Sequence, residues 1–296
     1  MMAAMARLLD RQRLRRQWED ALQEDGAERD LTSLAVAPER RIVTVELRAR
    51  RPGVFAGAPM FDLLREAYPA QVTATLHVAD GQGIAAGERL AVVTGPLRLL
   101  LAIERTLLNF LQRLCGVATL TRAYVDAVAG TPARIYDTRK TIPGWRNLDK
   151  YAVRCGGGHN HRMGLHDAVL VKDNHLAGIE PARLAAAAVA MMAEITALSP
   201  PPDFIEFEVD SLEAFHALLQ VPGIDVILLD NFSPADMRRA VALRNAAGLA
   251  GRLQLEASGG VSIDSVRAIA ETGVERIAVG AITHSAPALD IGIDAC

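Results

Sequence analysis

The sequence predicts an α/β protein with two parts: an N-terminal α+β sandwich-like domain over residues 1–115 and a TIM-like α/β barrel, complete or incomplete, over residues 116–296. Two segments of the first third alternate apolar and polar residues, which is typical of a sheet with one face in water. Beyond the middle of the chain, short apolar strands alternate with amphipathic helices. That rhythm predicts βαβ units around a parallel sheet.

Composition narrows the classes of protein to which this chain can belong. Half of its 296 residues are hydrophobic, which allows a large core and argues against disorder. The net charge of -3 argues against a nucleic-acid binder, and no apolar run reaches the ~18 residues of a membrane span. Cys115, Cys155 and Cys296 are scattered and lack metal-ligand spacing. We therefore expect a cytoplasmic protein without a disulfide framework and with neither nucleic acid nor membrane as a partner.

The N-terminal domain shows helical and strand signals in turn. An arginine-rich helix with a solvated cationic face is predicted near the start, because apolar residues recur there at helical spacing, namely Leu14, Trp18 and Leu22. Residues 41–50 and 71–80 alternate as strands do, and residues 58–68 between them have helical spacing. A long helix is predicted from Leu97 to Ala129, divided at Gly116, and we place the domain junction there.

In the second domain, polar residues mark the ends of the predicted strands. Helix starts carry the expected serine caps at Ser211, Ser233 and Ser262. Acids and glycines stand at or just past the carboxyl ends of successive strands, at Glu208, Asp230, Glu256, Ser258 and Gly280. In a barrel those ends share one mouth, where chemistry is built, so their polarity favours a barrel over an open sheet.

Positive charge concentrates in one segment, residues 134–175. This segment holds eight Lys and Arg against four Asp, and all three lysines of the chain lie in it: Lys140, Lys150 and Lys172. A local positive field within an acidic protein predicts a small anionic ligand rather than a polyanion. A solvated basic loop is the alternative.

Three short motifs in this segment suggest what the ligand contacts. Arg139 and Lys140 of "TRK" follow a short strand and suit a carboxylate or phosphate. His159 and His161 permit a metal pair, but no nearby acid or cysteine supplies a third ligand, so we expect His161 and Arg162 to be anion donors instead. Lys172 follows an apolar strand and is either a Schiff-base nucleophile or a charged clamp.

The acids and glycines of the later strands suggest a sugar phosphate. Glu208 and Asp230 suit sugar hydroxyls or Mg²⁺, and either acid is a candidate general base. Glycine-rich turns at 258–260 and 280–281 are of the kind that holds a phosphate on backbone N–H groups near the mouth of a barrel. For any one acid alone, a strand-end cap is the simpler interpretation.

With these segments assembled, the chain resembles the quinolinate phosphoribosyltransferase family, also called nicotinate-nucleotide pyrophosphorylase (carboxylating). The resemblance lies between Ile103 and Ile291, in the blocks "IERTLLNFLQRLCGVAT", "YDTRKTIPG", "KYAVRCGGGHNHRMGLHDAVLVKDNH", "IEFEVDS", "VILLDN", "LEASGGV" and "AVGAITHSAPALDI". It implies a pentosyltransferase of NAD biosynthesis. Such an enzyme converts quinolinate and phosphoribosyl pyrophosphate to nicotinate mononucleotide, pyrophosphate and CO₂.

The resemblance also implies roles for individual residues. The implied carboxylate ligands of quinolinate are Arg139, His161, Arg162 and Lys172, with Thr138 beside them and Lys140 facing the pyrophosphate. The implied ligands of the 5-phosphate are Ser258, Gly259, Gly260, Val279, Gly280 and Ala281. The candidate catalytic residues are Lys140, Lys172, Glu208 and Asp230. Mg²⁺ is expected with phosphoribosyl pyrophosphate near Glu208 and Asp230 rather than held by the protein alone.

Arg105 is implied to reach the site from a partner subunit, in a homodimer or a higher oligomer. Three alternatives stay open. The first is a related phosphoribosyltransferase acting on another heterocyclic acid, although a single carboxylate would leave Arg139 and Arg162 over-provided. The second is a Schiff-base aldolase using Lys172, which borohydride trapping would reveal. The third is a sugar-phosphate sensor, which would bind without turnover.

Overall fold

The structure, a computed structural model, describes residues 9–295. These residues form two compact units, each built from separate stretches of chain. The first unit contains the chain up to Arg122, Ile142–Gly157 and the chain from Ser285 onward. The second unit contains Ala123–Thr141 and Gly158–His284. The predicted single boundary between residues 115 and 116 falls within one continuous helix, Leu97–Ala127, whose last five residues belong to the second unit.

Helices and strands alternate along most of the described chain. The helices of residues 9–295 are α1 (Arg11–Asp25), α2 (Leu31–Val36), α3 (Ala58–Ala67), α4 (Leu97–Ala127), α5 (Arg146–Cys155), α6 (Leu184–Thr196), α7 (Leu212–Leu218), α8 (Pro234–Ala246), α9 (Val266–Ala270) and α10 (Ala281–His284). The strands are β1 (Ile42–Ala49), β2 (Gly53–Val54), β3 (Thr73–Leu76), β4 (Gly83–Ile84), β5 (Arg89–Pro96), β6 (Arg134–Tyr136), β7 (Val169–Val171), β8 (Ile205–Val209), β9 (Val226–Asp230), β10 (Gln254–Ser258), β11 (Arg276–Ala278) and β12 (Ile291–Ala295). Within this part of the chain, every helix is too short or too polar to cross a membrane.

The first unit is built on an antiparallel sheet with strand order β12-β1-β5-β3. Leu47 and Ala49 of β1 are fully buried, as the alternating pattern predicts. The last strand, β12, pairs along β1 from Val45 to Ala49 and buries Ile291. The arginine-rich segment forms α1 and buries Leu14 and Trp18, which confirms the predicted N-terminal helix.

Helix α4 runs without interruption from Leu97 to Ala127, so the prediction that Gly116 divides it is wrong. Glycine is needed at this position for a different reason. A Cβ atom at Gly116 would lie 2.0 Å from the carbonyl oxygen of Pro287, much closer than any side chain tolerates. The glycine therefore permits a close approach of two backbone segments within the first unit.

The second unit is built on a parallel sheet of six strands, in the order β6-β11-β10-β9-β8-β7. Strand β6 is the first of these strands along the chain and β11 is the last. The two pair in parallel, as the first and last strands of a closed barrel do. Between β6 and β7 the described sheet stays open, and a single parallel bridge joins Tyr136 to His159 there. The structure thus confirms the predicted α/β barrel in its incomplete form.

Two of the three predicted serine caps are present. The Ser211 hydroxyl accepts the N–H of Ala214 at the start of α7, and Ser233 caps α8 in the same way. The prediction for Ser262 is wrong. Its hydroxyl accepts the N–H of Ser265 within a turn, and helix α9 begins only at Val266.

Candidate active site

A cavity of about 540 Å³ opens in the second unit, where the carboxyl ends of the parallel strands meet. Its volume lies in the range of small-molecule sites. It is lined by Thr138, Arg139, Lys140, His161, Arg162, Leu170, Lys172, Glu208, Leu228, Asp230, Asn231, Glu256, Ser258, Gly259, Gly260 and Ala278. The cations, acids and glycine turn that the sequence singles out therefore share one hollow.

Four predicted site residues do not line this cavity. Val279, Gly280 and Ala281 follow β11, and Gly280 instead supports the cavity wall, because a Cβ atom there would lie 3.2 Å from Cδ of Lys140. Arg105 is exposed on α4 in the first unit, where it lines a cleft with Glu24 and Trp145. The partner subunit that Arg105 is expected to serve stays a prediction.

Two guanidinium groups are held together in the cavity. Arg162 is only 8 % exposed, and its Nη1 donates to the carbonyl oxygen of Ala168 at 3.4 Å. Burial, and then the positive charge of Arg139, lowers the pKa of Arg162. Two like charges kept close in a partly buried wall repel each other, and an anion with two negative groups would relieve that repulsion.

The loop that carries Arg139 is fixed through its backbone. The Thr138 hydroxyl accepts the N–H of Lys140 at 3.0 Å, and the Thr283 hydroxyl donates to the carbonyl oxygen of Lys140 at 2.8 Å. The Lys140 side chain is exposed toward the cavity. A loop whose backbone is fixed and whose lysine side chain is exposed and flexible suits the binding of a polyphosphate group.

Lys172 and Glu208 form an ion pair across two neighbouring strands. The Lys172 Nζ donates to Glu208 Oε2 at 2.6 Å, and the lysine side chain is 43% exposed. An amine in such a place is neither desolvated nor isolated from a counter-charge. These conditions favour the charged clamp over the Schiff-base nucleophile.

Asp230 is the last residue of β9, and its neighbour Asn231 connects it to the glycine turn. Asn231 has a positive φ of 56°, which asparagine tolerates better than most residues. Its amide donates to Asp230 Oδ2 at 2.9 Å, and its backbone N–H donates to the carbonyl oxygen of Ser258 at 2.9 Å. A Cβ atom at Gly259 would lie 2.1 Å from Asn231 Oδ1. Sequence reasoning missed Asn231, although a polar residue directly after a strand-end acid was a usable signal.

A cluster of buried charges adjoins the cavity, and we call it the buried cluster: Glu206, Glu256 and Arg276. Of these three, Glu256 also lines the cavity. Both glutamates are fully buried, and Arg276 is 6% exposed. Arg276 Nε donates to Glu256 Oε2 at 2.6 Å. The Arg276 guanidinium also lies 4.0 Å from the ring centre of Tyr136. Glu206 and Glu256 stand within apolar strands, and their proximity arises from sheet register, so no local pattern in the sequence marks them as a group.

His161 stands between the buried cluster and the cavity. Its Nε2 lies 2.9 Å from Glu206 Oε2 and 3.4 Å from Glu256 Oε1. Its Nδ1 accepts the backbone N–H of Arg162 at 2.8 Å. Both ring nitrogens are thus engaged by protein groups, so a direct bond from His161 to a ligand carboxylate requires one of them to change partner.

The buried cluster and His161 retain a proton together. Burial lowers the pKa of His161, but Glu256 and Glu206 outweigh it and raise the value to about 9. An imidazolium would donate from both nitrogens, whereas Nδ1 accepts a hydrogen bond. We therefore place the extra proton at the contact between Nε2 and Glu206. Burial, and then Glu256, raises the pKa of Glu206 to about 7.

The same three side chains, His161, Glu206 and Glu256, bring ligand atoms within 4.8 Å of one another, as a metal site would. The surroundings favour a proton over a metal ion. The Arg276 guanidinium already occupies Glu256, and Arg162 adjoins His161. A divalent cation would be placed among these fixed positive charges, and Coulomb repulsion in a buried site opposes that strongly.

The fold and the cavity are those of an α/β-barrel protein whose cavity, at the carboxyl ends of the strands, has a lining that suits a multiply charged anion. Residues 30–115 match the profile "Quinolinate phosphoribosyl transferase, N-terminal domain", and residues 117–294 match the corresponding C-terminal domain. The chain therefore belongs to the quinolinate phosphoribosyl transferase family.

Individual relatives agree with this assignment. A nicotinate-nucleotide pyrophosphorylase [carboxylating] of Mycobacterium leprae is 43% identical over 267 residues, which cover 90% of each chain. A probable nicotinate-nucleotide pyrophosphorylase [carboxylating] of Bacillus subtilis is 39% identical over 279 residues, 92% of this chain and 89% of the relative. The solved nicotinate-nucleotide pyrophosphorylase of Francisella tularensis superposes with a TM-score of 0.87 at 33% identity, covering 97% of this chain and 98% of that one.

Proposed function

We propose that this protein is a decarboxylating quinolinate phosphoribosyltransferase. It joins quinolinate to phosphoribosyl pyrophosphate and releases nicotinate mononucleotide, pyrophosphate and CO₂. The observation that carries the proposal is the pairing of Arg139 with the buried Arg162 in the cavity wall, with Lys172 in the same hollow. Three cations around one cavity match a heterocycle with two adjacent carboxylates.

The rest of the cavity suits the phosphoribosyl donor. Ser258, Gly259 and Gly260 offer a glycine turn for the 5-phosphate, and Lys140 offers a charge for the pyrophosphate. Glu208 and Asp230 provide the carboxylate oxygens that Mg²⁺ prefers, and Mg²⁺ usually bridges one or two such groups to substrate phosphates. When bound with the donor, the ion would neutralise charge on the departing pyrophosphate. Because Glu208 is engaged by Lys172, Asp230 is the better candidate to hold it.

The chemistry follows from positions and fixed charges. The clamp on both carboxylates aims the ring nitrogen at the anomeric carbon, and the new C–N bond forms as the bond to pyrophosphate breaks. Glu208 and Asp230 place negative charge near the oxocarbenium-like ribose. The ring nitrogen then carries positive charge, which stabilises the electron pair left at C2 when CO₂ departs. That carbon finally takes up a proton.

A direct assay tests the proposal. The protein is incubated with quinolinate, phosphoribosyl pyrophosphate and Mg²⁺, and nicotinate mononucleotide and CO₂ are measured; we expect equal amounts. Arg139→Ala and Lys172→Ala should each lose most quinolinate binding while remaining folded. Wild-type affinity in either variant would contradict the clamp. Product from nicotinate in place of quinolinate, without CO₂, would favour a related phosphoribosyltransferase instead.

We further propose a homodimer, or a higher oligomer, in which Arg105 serves a partner's cavity. In support, the first unit exposes several large apolar side chains, namely Leu31, Leu34, Val36, Ile42 and Leu101. Apolar exposure of this kind marks protein–protein contact surfaces. Mixing Arg105→Ala with Lys172→Ala should restore part of the lost activity, because some mixed sites would be intact. No recovery despite demonstrated subunit exchange would count against a shared site.

We also propose that the protein works in the cytoplasm. Cys115 and Cys155 are both buried as free thiols, which suits a reducing compartment. Fractionation of cells that produce the full chain would test this placement.

A further inference from the structure

The buried cluster of Glu206, Glu256 and Arg276 has no part in the chemistry proposed above, yet it adjoins the cavity, and Glu256 lines it. Both glutamates are completely buried, and Glu256 forms a buried ion pair with Arg276. A buried ion pair seldom stabilises a fold more than apolar side chains of the same size would. Stability alone is therefore a weak explanation for it. Its contacts suggest a different one.

The members of the buried cluster contact one another and one end of the His161 ring. Arg276 is fixed by Glu256 at 2.6 Å and by the ring of Tyr136 at 4.0 Å. Glu206 approaches His161 Nε2 at 2.9 Å. The edge of the His161 ring also packs against Phe204, with the ring centres 5.3 Å apart. The contacts with Glu206 and Phe204 thus set the orientation of the imidazole ring.

The other end of the ring sets the position of Arg162. His161 Nδ1 accepts the backbone N–H of Arg162 at 2.8 Å, and the side chain that this backbone carries lines the cavity. A continuous series of contacts therefore runs from the buried cluster through His161 to a cation of the cavity. Small displacements of such a supporting group are transmitted to the geometry of the site.

We propose that the buried cluster is a positioning device for carboxylate recognition: Glu206 holds the His161 ring, and the ring holds Arg162 in place for the heterocyclic diacid. The inference rests on the proposed function and concerns the quinolinate side of the cavity, not the phosphoribosyl donor. Glu206 is the best member to test, because removal of Glu256 would also leave the Arg276 charge buried without its carboxylate.

Three substitutions of Glu206 separate geometry from charge. Glu206→Leu keeps the size but cannot accept from Nε2. Glu206→Asp keeps the charge but is one methylene too short. Glu206→Gln is neutral but keeps both the length and a carbonyl acceptor. We expect KM for quinolinate to rise at least tenfold in the leucine variant, severalfold in the aspartate variant and less than threefold in the glutamine variant. KM for phosphoribosyl pyrophosphate should stay within twofold in all three.

A matched control is Glu275→Leu, because Glu275 pairs with the buried Arg244 at 2.7 Å in the same unit but does not line the cavity. It should lower thermal stability and leave both KM values unchanged. If the aspartate variant keeps the wild-type KM for quinolinate and the glutamine variant does not, the charge of Glu206 matters more than its length. That result would overturn the proposal. Equal changes in both KM values would also overturn it.

Two further results keep the outcomes distinct. A stoichiometric transition metal in the purified protein, whose chelation abolishes quinolinate binding, would replace positioning by metal ligation and overturn the proposal. If the wild type itself makes no nicotinate mononucleotide, the proposed function fails rather than this inference alone. Should Glu206→Leu not fold, the order of the aspartate and glutamine variants still decides.

Discussion

Replacing Gly259 by alanine should disable the glycine turn without touching any cation. Gly259 has a φ of +93°, and a Cβ atom there would lie 2.1 Å from Oδ1 of Asn231, 2.6 Å from its Cγ and 2.9 Å from its backbone nitrogen. The side chain of Asn231 would have to turn away. Its backbone nitrogen cannot yield easily, because it donates to the carbonyl oxygen of Ser258 at 2.9 Å.

The magnitude follows from what must give way. The positive φ costs an alanine roughly 1–2 kcal/mol. Displacing the Asn231 amide breaks its bond to Asp230, and a hydrogen bond to a charged group is worth about 1.5–3 kcal/mol. If about half of the combined cost falls on donor binding, the affinity for phosphoribosyl pyrophosphate should drop between ten- and hundredfold, at roughly 1.4 kcal/mol per factor of ten.

The assay is calorimetric binding of phosphoribosyl pyrophosphate with Mg²⁺, with thermal unfolding measured in parallel. Gly251→Ala is the control, because Gly251 has a similar φ of +76° but open space around its missing Cβ. Both variants should lose stability, and only Gly259→Ala should lose donor affinity. Adding Asn231→Gly to Gly259→Ala removes the clashing amide and should recover part of the affinity. Equal donor affinity in the two alanine variants would refute the reasoning.

Three other predictions concern stability and reactivity. Because the pKa of His161 is raised to about 9 in the fold, the folded state keeps a proton that the unfolded chain loses above about pH 6.5. Denaturant titrations should show that the unfolding free energy falls by at most about 3 kcal/mol as the pH rises from about 6.5 to 9. An unfolding free energy that rises over this range would contradict the prediction. Burial raises the pKa of Cys115 to about 12, so Ellman's reagent at pH 8 should label it orders of magnitude more slowly than in denaturant. Rapid labelling of Cys115 itself in the native protein, located by peptide mapping, would contradict its burial. Ile291→Ala should lower the unfolding free energy by roughly 2–4 kcal/mol, seen as a lower Tm, and an unchanged Tm would show that β12 does not support the sheet.

Most of the fold could be predicted from sequence patterns with a short period. The alternation at Leu47 and Ala49 and the caps at Ser211 and Ser233 are local, so sequence alone sufficed for them. Gly116 misled, because a glycine within a helical pattern reads as a break, whereas its partner Pro287 lies far along the chain. Such distant contacts leave no periodic trace in the sequence.

The candidate site divides in the same way. Arg139, Arg162 and Lys172 were found because their charges cluster in one segment, and the structure does bring them to one cavity. Glu206 and Glu256 were not found as a pair, since each stands alone among apolar neighbours and only strand register brings them to His161. The prediction that His161 lacks a further metal ligand considered only its neighbours in sequence. It therefore missed these two carboxylates, which lie on other strands.

The pairing of β12 with β1 has a consequence for how the chain is made. Residues 42–49 leave the ribosome before any strand of the parallel sheet, but the strand that flanks them is synthesised after the last of those strands. One edge of the first sheet therefore lacks its neighbouring strand while all six strands of the parallel sheet are produced and can fold. The nascent protein must keep that edge from pairing with other chains until β12 emerges.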